Sequence, residues 1–95
     1  MNNMSVENLV NILIQASQSR EQRPKLISEF QSAVWNTPED NSWEWEILTD
    51  LAYDLDFYEP NADLRAEDES YKDDEQAVQE IESALEKLQK VKHKL

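Results

Sequence analysis

Apolar residues recur along this chain at steps of three and four in four separate stretches. Val6, Leu9, Val10 and Leu13, with Ile12 and Ile14 beside them, form the first set, a spacing that lines one face of a helix. Ser5 stands directly before it as a good N-cap. The second set, Leu26, Ile27, Phe30, Ala33 and Val34, follows Pro24. Proline is tolerated in a first helical turn because its missing N–H would lack an intrahelical partner anyway, so a helix is predicted from about Arg23 to Trp35. Residues Asn36 to Asn41 read as turn chemistry, and Ser42 offers a cap ahead of Trp43, Ile47, Leu48, Leu51, Leu55 and Tyr58. That third helix is expected to run for about four turns and stop before Pro60, whose predecessor is disfavoured in helical geometry. Asp73 with Gln76 three residues later has the form of a capping box, and Val78, Ile81, Leu85 and Leu88 then follow at alternating steps of three and four. The last helix ends in Lys87, Lys90, Lys92 and Lys94, where cations interact favourably with the helix dipole.

The chain contains no glycine, and tight β-hairpins want Asn-Gly, Asp-Gly or Gly-X at their turns. An all-β fold is therefore strongly disfavoured. Helix ends often use glycine in the left-handed region, so Asn36, Asn41 and Asn61 are the expected substitutes where the chain must turn. The four amphipathic segments, with a longer acidic connection from Asn61 to Lys72, predict an all-α fold, a small antiparallel four-helix bundle. No internal repeat is present, and residues 1–95 are expected to form one domain.

Composition narrows the chemistry. A chain of 95 residues buries only roughly 60–65% of its unfolded surface, leaving room for one modest core. Its apolar fraction of 39% is low and its net charge of −12 is high, which pushes toward disorder, while the periodicity pulls toward folding. That charge disfavours nucleic acid and anionic membrane surfaces, both of which would repel it. No apolar stretch approaches the ~20 residues a membrane span needs, and the N-terminus lacks the sections of a secretory signal, so the expected compartment is the cytoplasm. With no cysteine there is neither disulfide nor thiolate chemistry. The single histidine, His93, reads as a solvated tail residue. The acidic runs Glu67-Asp68-Glu69 and Asp73-Asp74-Glu75 lack the glycine a calcium loop requires. Paired carboxylates can run acid–base chemistry when one is buried and its pKa is raised, but these cluster at exposed-looking helical positions with no histidine, cysteine or glycine-rich loop nearby, so neither enzyme activity nor a metal or cofactor is expected.

The charge is uneven. Between Leu26 and Leu64 there are ten carboxylates and no lysine or arginine. The third helix also carries five aromatic residues, which cannot all face inward. Trp43 and Tyr58 fall on the Ile47, Leu51, Leu55 stripe and read as core. Trp45, Tyr53 and Phe57 lie on another stripe beside Glu46, Asp50, Asp54 and Asp56; they are either a wider buried face or aromatic anchors in an acidic binding patch. Trp35 is equally ambiguous. Glu46, Asp50 and Asp54 at four-residue steps would be an ordinary solvated face, except that like charges so spaced destabilise a helix by a few tenths of a kcal/mol each and no basic residue intervenes. A basic partner would supply the compensating benefit.

The run from Ile47 to Asp63, I-L-T-D-L-A-Y-D-L-D-F-Y-E-P-N-A-D, followed by S-A-L-E-K-L at Ser83 to Leu88, resembles the colicin D immunity protein family, whose members also serve contact-dependent growth inhibition systems. The resemblance covers roughly half of the chain and is firmest at Phe57, Glu59, Pro60, Ala62 and Asp63. It implies a small acidic four-helix bundle that binds the C-terminal ribonuclease domain of a toxin or bacteriocin in the cytoplasm and blocks its transfer-RNA site, the carboxylates standing in for the RNA backbone. By position it implies toxin-facing roles for Asp56, Glu59 and Asp63. Asn61 stands where the family carries an acid, so the partner need not cleave transfer RNA.

The expected partner is a cognate basic toxin domain, bound one to one, with Glu46, Asp50, Tyr53, Asp54, Asp56, Phe57, Glu59 and Asp63 as the partner-binding residues. The alternative is an acidic nucleic-acid mimic that occupies the site of a DNA- or RNA-binding protein. A weaker option is a structural subunit held in a complex through the last helix.

Overall fold

The computed structural model describes residues 6–36 and 43–94. The protein is all-α, and among the described residues there is no β-strand. Helix α1 spans Val6–Gln18, α2 Arg23–Asn36, α3 Trp43–Asp54, a short α4 Ala62–Arg65, and α5 Asp74–Lys94. The four long helices pack in a closed cycle, α1 on α2, α2 on α3, α3 on α5 and α5 on α1, as adjacent helices of a four-helix arrangement do.

The periodic residues face the middle of that cycle. Leu9, Leu13 and Ala16 of α1, Leu26, Ile27, Phe30 and Val34 of α2, and Leu48, Leu51 and Ala52 of α3 are all buried in one cluster. On α5 the fully buried positions include Ala77 and Ile81, with Ala84 and Leu88 nearly so, while Val78 and Leu85 are only half-buried. The contact stripe of α5 therefore runs through two alanines that the pattern of large apolar residues did not single out. Small side chains let this helix approach its neighbours closely, where longer ones would hold it away.

Local signals explain the ends of α4 and α5. The capping box at α5 forms as expected: the Gln76 N–H donates to Asp73 Oδ1 at 2.9 Å and the Asp73 N–H donates to Gln76 Oε1 at 3.0 Å. Asn61 takes a different part from the one expected. Among the described residues no φ is positive, and Asn61 is extended, at φ −86° and ψ 118°. Its side-chain oxygen accepts the Asp63 N–H at 2.9 Å and the Leu64 N–H at 3.4 Å, which caps α4. Asn36 ends α2, also without a positive φ. The expected caps Ser5 and Ser42 and the turn residue Asn41 lie outside the described residues.

Helix α3 is shorter than its periodicity predicts. The α-helix stops at Asp54, the chain tightens into a 3-10 turn over Leu55–Phe57, and Tyr58 is extended. Two backbone bonds take the chain out of the helix, Lys72 N–H to Phe57 C=O at 2.7 Å and Glu59 N–H to Lys72 C=O at 2.9 Å. The tail of the long connection is thus pinned against the exit of α3 as an isolated bridge between Tyr58 and Lys72. Leu55 and Tyr58 keep their apolar contacts, but at the pitch of a 3-10 turn.

Candidate functional site

The α3 backbone fixes which of its side chains meet solvent. With Trp45, Leu48, Leu51 and Ala52 turned inward, the 3.6-residue period sends Glu46, Asp50, Tyr53 and Asp54 to the opposite side. These four are the exposed residues of α3. Asp56 and Phe57 continue the exposed surface on the 3-10 turn. Of the three ambiguous aromatics, Trp45 belongs to the core at 6% exposure, whereas Tyr53 and Phe57 are outside at 61% and 46%. Trp43 and Tyr58 pack against the core as expected. Trp35 is exposed at the end of α2, its ring 6.1 Å from that of Tyr53 and tilted by 49°. Gln31 Nε2 donates to the Ala52 carbonyl at 3.1 Å and so ties α2 to α3 within a turn of that pair.

Glu59 and Asp63 lie beyond the bridge. Glu59 is half-buried; its Oε2 accepts the Asn61 N–H at 3.2 Å, and its carbonyl accepts Arg65 Nη1 at 2.7 Å. Asp63 is exposed in the first turn of α4. Both are therefore placed by the capped corner around Pro60 and not by the helical period of α3.

Charge pairing divides the carboxylates into two groups. Asp74, Glu80 and Glu86 form ion pairs, with Arg23 and Arg20, with Lys72, and with Lys90 respectively. The other described carboxylates form none, Glu46, Asp50, Asp54, Asp56, Glu59 and Asp63 among them; what sets the α3 run apart is that α3 itself carries no basic residue. The fold nevertheless brings cations to the edge of the acidic run that the run itself lacks. Lys72 pairs with Glu80, donates to the Asp54 carbonyl at 3.3 Å, and places Nζ 5.9 Å from the centre of the Phe57 ring. Between α3 and α5 an open groove of about 250 Å³ has Asp50 and Asp54 on one wall and Gln79, Glu80, Ser83 and Lys87 on the other. The α3 face is thus acidic along its crest and mixed in charge along its α5 flank.

The sequence pattern missed one polar cluster. Arg23 is buried at the start of α2, its Nε donating to the Ala16 carbonyl at 2.7 Å and its Nη1 to Asp74 Oδ1 at 3.1 Å. The Tyr58 hydroxyl donates to the same oxygen at 2.6 Å. Burial, then the hydrogen bond to Asp74 and the charge of that carboxylate, hold the Tyr58 phenol well above its ordinary range. The Tyr58 hydrogen bond, followed by Arg23 and Arg20, outweighs desolvation and holds the Asp74 carboxyl below the usual carboxylate range. A cation in the first turn of a helix opposes the dipole, but Lys25 stands in the same turn, exposed and outside these ion pairs, so position alone did not mark Arg23 as the buried one. This cluster locks the ends of α1, α2, α3 and α5 together, and its groups are satisfied by one another.

Among the described residues no three histidine or acidic side chains are gathered as a metal ion would require, and no helix is long and apolar enough to cross a membrane. Comparison of the chain with protein-family models, with curated proteins and with solved structures returns no match.

Proposed function

We propose that this protein is an immunity-type inhibitor that binds a basic bacterial toxin nuclease domain one to one and lays its acidic α3 face across the cleft that holds the nucleic acid. One observation carries the reading: the exposed side of α3 consists of Glu46, Asp50, Tyr53 and Asp54, and its three carboxylates have no ion-pair partner among the described residues. Such a face carries a repulsion that an opposing row of lysines and arginines would relieve, and its field would speed the encounter with a cationic cleft. The resemblance of Ile47 to Asp63 to colicin D immunity proteins supports the choice of a nuclease as the target.

The test begins with the chain that copurifies with this protein from its native host. Asp54→Asn, Asp56→Asn and Glu59→Gln, combined, are expected to weaken its binding by about tenfold or more, roughly 1.4 kcal/mol, without lowering the thermal midpoint. Unchanged affinity in that variant would remove the α3 exit from the interface. Recovery of a DNA-binding regulator in place of a toxin would favour the nucleic-acid mimic.

A further inference from the structure

An acidic face attracts any cation, but aromatic rings set into it discriminate among cations. Trp35 and Tyr53 come from different helices and meet at the surface, 46% and 61% exposed, with ring centres 6.1 Å apart. Tyr53 shares the outward side of α3 with Asp50, one turn earlier, whereas Asp54, the next residue, turns toward the α5 groove. The third exposed ring of this region, Phe57, already has a cation of the protein's own, Lys72 Nζ at 5.9 Å. Among the described residues no cation stands over Trp35 or Tyr53.

We propose that the Trp35–Tyr53 pair is an arginine-selective anchor point on the α3 face, where a guanidinium of the bound basic protein stacks against the rings and donates its N–H groups to Asp50. This rests on the reading that the α3 face binds a basic protein, and specifies which side chain it takes. Guanidinium is planar and weakly hydrated, so it can lie on an aromatic face and still direct donors sideways in its plane; a lysine ammonium is compact and strongly hydrated, and gains less from the rings. Tryptophan, tyrosine and arginine are also the residues in which binding energy concentrates at protein interfaces.

Two matched peptides of equal length and charge, one alternating glycine with arginine and the other glycine with lysine, provide the probe. They are titrated into the full chain at low salt and at about 0.15 M salt, where long-range attraction is screened. The arginine peptide is expected to bind about three- to tenfold more tightly and to shift the NMR signal of the Trp35 indole. The double variant Trp35→Leu, Tyr53→Leu should lose that preference while keeping its affinity for the lysine peptide. Asp50→Asn with Asp54→Asn should weaken binding of both peptides. Equal binding of the two peptides by the native chain, an unmoved Trp35 signal, or a preference that survives the double variant would overturn the anchor and leave the acidic-face reading in place. Failure of both peptides to bind even at low salt would overturn that reading as well.

Discussion

Arg23 has few degrees of freedom left. Its guanidinium is enclosed by the Ala16 and Ser17 carbonyls and the Asp74 carboxylate, and Tyr58 completes the acceptor side of Asp74. Replacing Asp74 with Asn strips the charge from beside a buried cation, and an unfolding titration at neutral pH should show a loss of about 2–3 kcal/mol, near the lower end for a broken buried pair because the two carbonyls remain. The pH dependence has a defined sign. The folded Asp74 carboxyl titrates below its unfolded value of ~3.9, so its contribution is complete above that pH and is lost as pH falls through the lower folded value. Tyr58 is raised, so its contribution is complete below the ordinary phenol value of ~10 and is lost as pH rises through the higher folded value. Stability curves of wild type against Asp74→Asn should therefore converge in acid, and wild type against Tyr58→Phe should converge in alkali.

For single elements, the capping box of α5 and the inward row of α3 make separable contributions. Asp73→Ala removes the acceptor for the Gln76 N–H and should lower stability by about 1 kcal/mol, read as a shift in denaturant midpoint with unchanged slope. Leu48 is fully buried at the centre of α3, and Leu48→Ala should cost about 2–5 kcal/mol, enough to threaten so small a domain. Most helix cores were legible from spacing, since Leu9, Leu13, Phe30, Leu48, Leu51 and Ile81 all face inward where three- and four-residue steps put them. The end of α3 was not legible, because the bonds that terminate it come from Lys72, on the far side of the long connection. Trp45 was ambiguous for a related reason. A helix packed between α2 and α5 buries a wider arc than one packed on a single neighbour, and only the arrangement of neighbours sets that width.

At the scale of the whole molecule the excess of carboxylates acts on the protein itself. A net charge of −12 on 95 residues implies self-repulsion in the folded state, and only some of the acids are relieved by internal partners. Raising salt from about 0.01 M to about 0.3 M shortens the screening length several-fold, so the thermal midpoint of the free protein should rise with added sodium chloride. The same addition should weaken binding of a basic partner. Opposite responses of stability and affinity to one variable would separate repulsion within the chain from attraction across an interface.

The absence of glycine, a matter of composition, and the hydrophobic period and capping box, relations between residues a few positions apart, settled the helical class, the position of the four long helices and most of the core, but neither the end of α3 nor the short α4. The side of α3 that meets solvent was nearly as readable, since one period orders Glu46, Asp50 and Asp54. Other features required the packed chain: Asp74 clamped between Arg23 and Tyr58, Lys72 carried to the edge of an acidic run that has no cation of its own, and Trp35 set against Tyr53. These contacts join residues far apart in sequence, and local preferences of the backbone contain no information about which distant side chains the shared core will bring together.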